Sequence, residues 1–227
     1  MKIGGIQKFS TVDYPGFAVA SIFTIGCNMR CGYCHNPELV LPEQFVGEIP
    51  EDEILEFLSS RKGLLDGVAI SGGEPTMQED LPEFIRRVKE MGFRVKLDTN
   101  GTNPGMVKRL IDDGLVDFIA MDIKGPLDKY VQIAARPIDL DAIEECIRLI
   151  KTINHEFRTT IVRTQLVPRD FEAIGELVDG AQRFALQYFI PGNTVSPHFR
   201  HEASFTPEEM DEAKSIMERH VAECVVH

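Results

Sequence analysis

The sequence predicts an α/β fold built on a parallel sheet, either a partial, open (β/α)6 barrel or an open doubly wound sheet. Three observations carry this. Apolar, β-rich runs alternate with amphipathic segments along the chain; the repeat is roughly 30 residues, the length of a βαβ unit; and no internal repeat, low-complexity tract or long linker interrupts the pattern. Either architecture places its chemistry at the C-terminal ends of the strands.

The strand candidates are 18–25, 67–71, 93–98, 116–122, 158–166 and 184–190, each rich in Val, Ile, Leu, Phe or Ala. Between them lie amphipathic segments at 51–62, 80–91, 103–113, 139–153 and 170–183, with a last helix near 206–221. Start signals precede several of these: Asp80 with Pro82, Asn103 with Pro104, and Thr206 with Pro207, Glu208 and Glu209. One domain spanning 1–227 is the simplest organisation, with an N-terminal extension at 1–17 and a loop at 26–37 after the first predicted strand.

Composition narrows the function. At 43% hydrophobic and 26% charged, the chain can bury a sizeable core, which excludes disordered and collagen-like classes. Lys and Arg number 24 against 36 Asp and Glu, so the net charge of −12 repels phosphate backbones and argues against a nucleic-acid partner. No stretch approaches about 18 uninterrupted apolar residues, and no leader pattern opens the chain, so no membrane role and a cytoplasmic location are expected.

Of the five cysteines, Cys27, Cys31 and Cys34 cluster in the loop after the first predicted strand, while Cys146 and Cys224 stand apart. An odd, uneven set is not a disulfide framework. The spacing Cys-x3-Cys-x2-Cys lets one loop wrap three thiolates around one inorganic centre. A closed zinc site needs four ligands, and His35, directly after Cys34, is poorly placed to be the fourth. Three thiolates suit a [4Fe-4S] cluster with one iron left open.

This motif, with Tyr33 before the last cysteine, resembles the radical S-adenosylmethionine (SAM) superfamily. Ser71-Gly72-Gly73-Glu74-Pro75 is similar to that family's Gly-Gly-Glu motif, and Asp98-Thr99-Asn100-Gly101 with Met121-Asp122-Ile123-Lys124 resembles its branch of glycyl radical enzyme activating enzymes. The opening 5–16, including Val12-Asp13-Tyr14-Pro15-Gly16, and Cys34-His35-Asn36-Pro37 resemble the activating proteins of anaerobic ribonucleoside-triphosphate reductase and of pyruvate formate-lyase.

The resemblance implies a partial (β/α)6 TIM-like barrel, a single [4Fe-4S] cluster held by Cys27, Cys31 and Cys34, and SAM on its open iron. It implies that Gly72, Gly73 and Glu74 meet the SAM ammonium and Lys124 its carboxylate or ribose, with Lys124 counted among the catalytic residues. Tyr33, His35 and Asn100 would lie beside the cofactor, Arg163 near the sulfonium or ribose, and Ile190, Pro191 and Asn193 near the adenosine. Asp98 and Asp122 would converge near the methionine moiety, and two carboxylates beside an anionic ligand call for a cation, Na+ or K+. The implied activity is reductive cleavage of SAM and removal of a glycine hydrogen from a glycyl radical enzyme, with flavodoxin or a ferredoxin-type protein as electron donor. The Asp13-Tyr14-Pro15-Gly16 loop is expected to border the channel for the partner's glycine. Alternatives are activation of pyruvate formate-lyase or another glycyl radical enzyme, a small-molecule catalyst such as a deazapurine synthase, and a non-catalytic electron carrier.

Overall fold

A computed structural model describes residues 1–227. Eight strands form one sheet in sequential order: β1 (Ile3–Ser10), β2 (Val19–Thr24), β3 (Gly67–Gly72), β4 (Arg94–Thr99), β5 (Phe118–Asp122), β6 (His155–Ile161), β7 (Ala181–Tyr188) and β8 (Val221–Val226). β1 runs antiparallel to β2, and every later neighbour is parallel. The helices are α1 (Pro37–Val40), α2 (Glu51–Ser60), α3 (Leu81–Glu90), α4 (Pro104–Asp112), α5 (Leu127–Ala134), α6 (Leu140–Ile150), α7 (Asp170–Val178) and α8 (Pro207–Met217).

Strand order decides between the two predicted architectures. A doubly wound sheet reverses its order at a switch point; this one never does. With crossovers of the usual right hand, all helices then pack on the same face. Ile22, Ile70, Leu97, Met121, Phe157 and Phe184 sit in one core with α3, α4 and α6 residues such as Phe84, Val107 and Ile147. The alternate strand positions point the other way and carry the polar residues Ser21, Ser71, Lys96, Asp98, Asp122, Glu156, Arg158 and Gln187. β1 and β8 do not pair, so the sheet stays open. No helix is long and apolar enough to cross a membrane.

The structure adds two strands to the six expected. The 1–17 extension contributes β1, whose Gly-Gly and Gln-Lys pairs hide its alternation, and β8 follows the last helix, which stops at Met217 instead of continuing to 221. β6 begins three residues earlier than expected, because its polar positions Glu156 and Arg158 face the interior and break the apolar run. Where sequence signals were strong, the helix starts hold: Asn103 accepts from the Met106 N–H, and Thr206 and Glu209 form a capping box behind Pro207.

The 11–18 loop lies at the end of the sheet away from the cysteines. Ser10 pairs with Val19 at the start of β2, the end opposite the cysteine loop. Tyr14 packs on Phe17 and on Phe118 at the start of β5, with the Arg94 guanidinium over Phe17. The segment therefore covers the N-terminal ends of the strands.

Candidate functional site

β2 ends at Thr24, and the chain turns through Gly26 into the cysteine loop. Two glycines let the end of β3 press against that turn. The Gly73 N–H donates to the Thr24 carbonyl at 2.8 Å and the Glu74 N–H to the Gly26 carbonyl at 2.7 Å. A Cβ on Gly73 would lie 2.0 Å from the Gly26 oxygen, and Gly72, at φ +115°, would put one 2.3 Å from the Thr24 nitrogen. The Gly-Gly pair is thus a steric requirement of the site.

Glu74 then acts as a clasp. It is 1% exposed; its Oε1 accepts from the Thr76 N–H and hydroxyl and the Thr99 hydroxyl, and its Oε2 from the Asn100 N–H at 2.7 Å. Burial pushes its carboxyl up, against the pull of these donors. The two Thr76 bonds fix the turn after β3, and the Thr99 and Asn100 bonds tie that turn to the end of β4, so the side chain holds the site together. Asn100 carries the chain of contacts onward: its amide donates to Asn28 Oδ1 at 2.9 Å and lies 3.9 Å from Cys27 Sγ, while Asn28 donates to Thr102 Oγ1. Asn28 and Thr102 carried no sequence signal.

Cys27, Cys31 and Cys34 line one cavity with Tyr33, His35, Gly72, Gly73, Glu74, Asp98, Asn100, Asp122 and Lys124. Burial pushes the Cys27 thiol up to about 12 and raises Cys31 and Cys34 as well; binding a metal through them would release their protons. The Met29 N–H, 3.4 Å from Cys27 Sγ, pulls the other way. Arg30 donates to the Cys27 and Met29 carbonyls at 2.6 and 2.7 Å and pins the loop. No three His, Cys, Asp or Glu side chains are placed to hold one metal ion, as a zinc site would need. A cluster asks something different: one thiolate for each of three irons, from a short loop with apolar neighbours. The loop fits that demand. Residues 194–199 cover it, with the Val195 and Ser196 N–H groups donating to the Cys34 and Gly32 carbonyls and Phe199 edge-on to Tyr33.

A second cavity of about 680 Å³ adjoins the first, of about 210 Å³, and shares His35 and Thr160 with it. A ligand can therefore reach from the cysteines to Ile190 and Pro191, which line the second cavity. His35 joins the two: Nε2 lies 2.8 Å from the Ile190 carbonyl and the ring stacks on Phe189. Asn193 is exposed and lines neither cavity.

Opposite the cysteines stands a wall of charge. Lys96 Nζ is 2.5 Å from Asp98 Oδ1, and Lys124 Nζ is 3.0 Å from Asp122 Oδ2. Arg158, the register partner of Asp122, spans both carboxylates: Nε is 2.5 Å from Asp122 Oδ1 and Nη2 is 3.3 Å from Asp98 Oδ2. Burial would push both carboxyls up, but the Arg158 guanidinium, with Lys96 and Lys124, holds them below the usual carboxylate range.

Arg163 is not part of this wall. β6 ends at Ile161, and Arg163 beyond it is taken by Glu209, the capping-box residue of α8, with Nη2 2.7 Å from Oε1. The arginine that reaches the cavity is Arg158, a lining residue that sequence reasoning missed, as it missed Met29, Val40 and Thr160. The signal was available: a charged residue at the alternate, inward position of a strand.

The comparisons with known proteins agree with this geometry. The profile of the radical SAM superfamily matches residues 21–178. The chain belongs to the radical SAM superfamily. It is similar to a Methanocaldococcus jannaschii protein, itself named only provisionally as a glycyl-radical enzyme activating enzyme, at 36% identity over 99% of this chain and 95% of the relative. The pyruvate formate-lyase-activating enzyme of Staphylococcus aureus matches at 32% over 58% of this chain and 57% of its own length. Among solved structures, Streptococcus suis SuiB bound to SAM superposes with a TM-score of 0.66 at 15% identity; it covers 89% of this chain, which spans 48% of SuiB. The fold is accordingly the partial barrel of radical SAM enzymes, and the family implies an enzyme carrying a [4Fe-4S] cluster and SAM.

Proposed function

We propose that this radical SAM enzyme activates a glycyl radical enzyme, and that the partner is an anaerobic ribonucleoside-triphosphate reductase. The observation that carries the activase reading is the full-length likeness to a glycyl-radical enzyme activating enzyme, set on a cavity that unites the three cysteines with the Gly-Gly-Glu turn and the Asp98, Asp122 and Lys124 wall. The ribonucleotide reductase rests on the opening 5–16 and the Cys-His-Asn sequence, and pyruvate formate-lyase is the alternative partner. We place the protein in the cytoplasm, with a flavodoxin or ferredoxin-type electron donor.

Cys27, Cys31 and Cys34 would hold a [4Fe-4S] cluster, which when reduced would supply the electron for reductive cleavage of SAM and so the radical chemistry at the partner's glycine. The chain's own residues bind and orient. Lys124 offers a cationic donor to the carboxylate end of SAM. The main chain of Gly72 and Gly73 lies where the ammonium is received, and Glu74 contributes by holding that turn, since its own oxygens are engaged by Thr76, Thr99 and Asn100. Tyr33, Phe189 and Phe199 keep water from the cysteine loop. Ile190 and Pro191 line the cavity suited to the adenosine end.

Anaerobic reconstitution with reductant and SAM, followed by electron paramagnetic resonance with each candidate partner, tests this. A glycyl doublet with the reductase and none with pyruvate formate-lyase is expected. A doublet with pyruvate formate-lyase alone would transfer the assignment, and no SAM cleavage in any mixture would end it.

A further inference from the structure

A Na+ or K+ ion between Asp98 and Asp122 does not fit the residues present. We propose that Arg158 is a built-in counter-cation, receiving the carboxylate of SAM together with Lys124, so that this protein binds SAM without a monovalent metal ion. The inference rests on the radical SAM reading of the site and goes beyond it.

The argument is one of geometry and charge. Both oxygens of each carboxylate already face a cationic nitrogen: Lys96 and Arg158 for Asp98, Arg158 and Lys124 for Asp122. Na+ and K+ are hard ions that need several oxygen lone pairs, as the harder divalent ions do, and the guanidinium occupies the gap where those lone pairs would converge. Three cationic side chains against two carboxylates leave the wall at 3 − 2 = +1, which one SAM carboxylate neutralises. An added metal ion would leave an uncompensated positive charge beside Lys96, only 3% exposed, where desolvation makes such charge costly. A guanidinium has five N–H donors in a planar fork. Two of its nitrogens are engaged with Asp122 and Asp98, and Arg158 lines the cavity, so Nη1 remains for an incoming carboxylate.

SAM affinity of the cluster-loaded protein, measured anaerobically by equilibrium dialysis in potassium, sodium and choline buffers of equal ionic strength, decides this. Wild type should bind with affinities within about twofold of one another, while Arg158→Gln should lose at least about tenfold in choline and recover part of it in potassium or sodium. Arg158→Lys, which keeps the charge but not the fork, should fall between them in choline. A wild-type affinity about tenfold weaker in choline than in potassium overturns the proposal. That comparison needs no variant, so it stands even if Arg158→Gln fails to fold. Formation of 5′-deoxyadenosine by the reduced wild type separates the two readings: none in any buffer defeats the radical SAM assignment, whereas formation only with a metal cation leaves that assignment standing and defeats this one.

Discussion

The cysteine wall and the charged wall face each other across one cavity, yet they are assembled differently. Cys27 to His35 belong to a single loop, shaped by main-chain hydrogen bonds, by Arg30 on its carbonyls and by the two glycines that let β3 approach. Lys96, Asp98, Asp122, Lys124 and Arg158 come from β4, β5 with the residues just after it, and β6, and meet only because the strands are in register. The electrostatics differ accordingly. Burial favours the protonated thiols, whereas the carboxylates stay ionised because their counter-charges are part of the fold. Removing a member should therefore cost the first wall its metal and the second its charge balance.

The sharpest separation comes from Cys31→Ala, which should abolish the visible absorption of the reconstituted cluster. Lys124→Ala should leave that absorption in place and weaken SAM binding by about tenfold, as expected for one charge-assisted contact. If Lys124→Ala also lost the cluster, the two walls would not be separable.

Glu74→Ala tests the seam between the walls. It strands the buried donors of Thr76, Thr99 and Asn100, and it should lower stability by about 3 kcal/mol, read from chemical denaturation of the apoprotein. Asp122→Asn reaches only the charged wall, removing the anion shared by Arg158 and Lys124, with an expected loss of about 2 kcal/mol. Its pH signature is more specific. Folding holds the Asp122 carboxyl below its ordinary value, so its stabilisation is complete above about pH 4 and is lost as the pH falls further. Asp122→Asn should make the melting temperature less sensitive to acid in that range, and an unchanged acid limb would contradict the pairing.

The smallest effect is expected outside both walls. Arg163→Ala breaks only the contact with Glu209, and SAM affinity should stay within about twofold of wild type. A larger loss would put Arg163 back in the site.

How far the sequence could be read follows the same division. The cysteine wall was legible because its three cysteines lie within eight residues, from Cys27 to Cys34, and their spacing is itself the signal. Gly72, Gly73 and Glu74 were legible as a motif, although the work of Glu74 was not: a carboxylate that accepts four hydrogen bonds from Thr76, Thr99 and Asn100 looks the same in sequence as one aimed at a ligand. The charged wall was half legible. Asp98, Asp122 and Lys124 end their strands and were found, but Arg158 sits inside β6 at a polar inward position that shifted the predicted strand towards Arg163. Which end of the sheet the 11–18 loop covers was not legible, because its position depends on β1, whose pairing with β2 turns the loop to the end away from the cysteines.

Alternation of apolar runs and helix caps, together with the cysteine spacing, determined by themselves that this is an α/β protein with three clustered cysteines after its first parallel strand, because those signals act between residues close in the chain. Tertiary structure alone decided that the strands keep sequential order and leave an open, polar-faced sheet, and that Arg158 stands between Asp98 and Asp122. Those outcomes depend on register and crossover, which join residues as far apart as Asp98 and Arg158 and have no local signature.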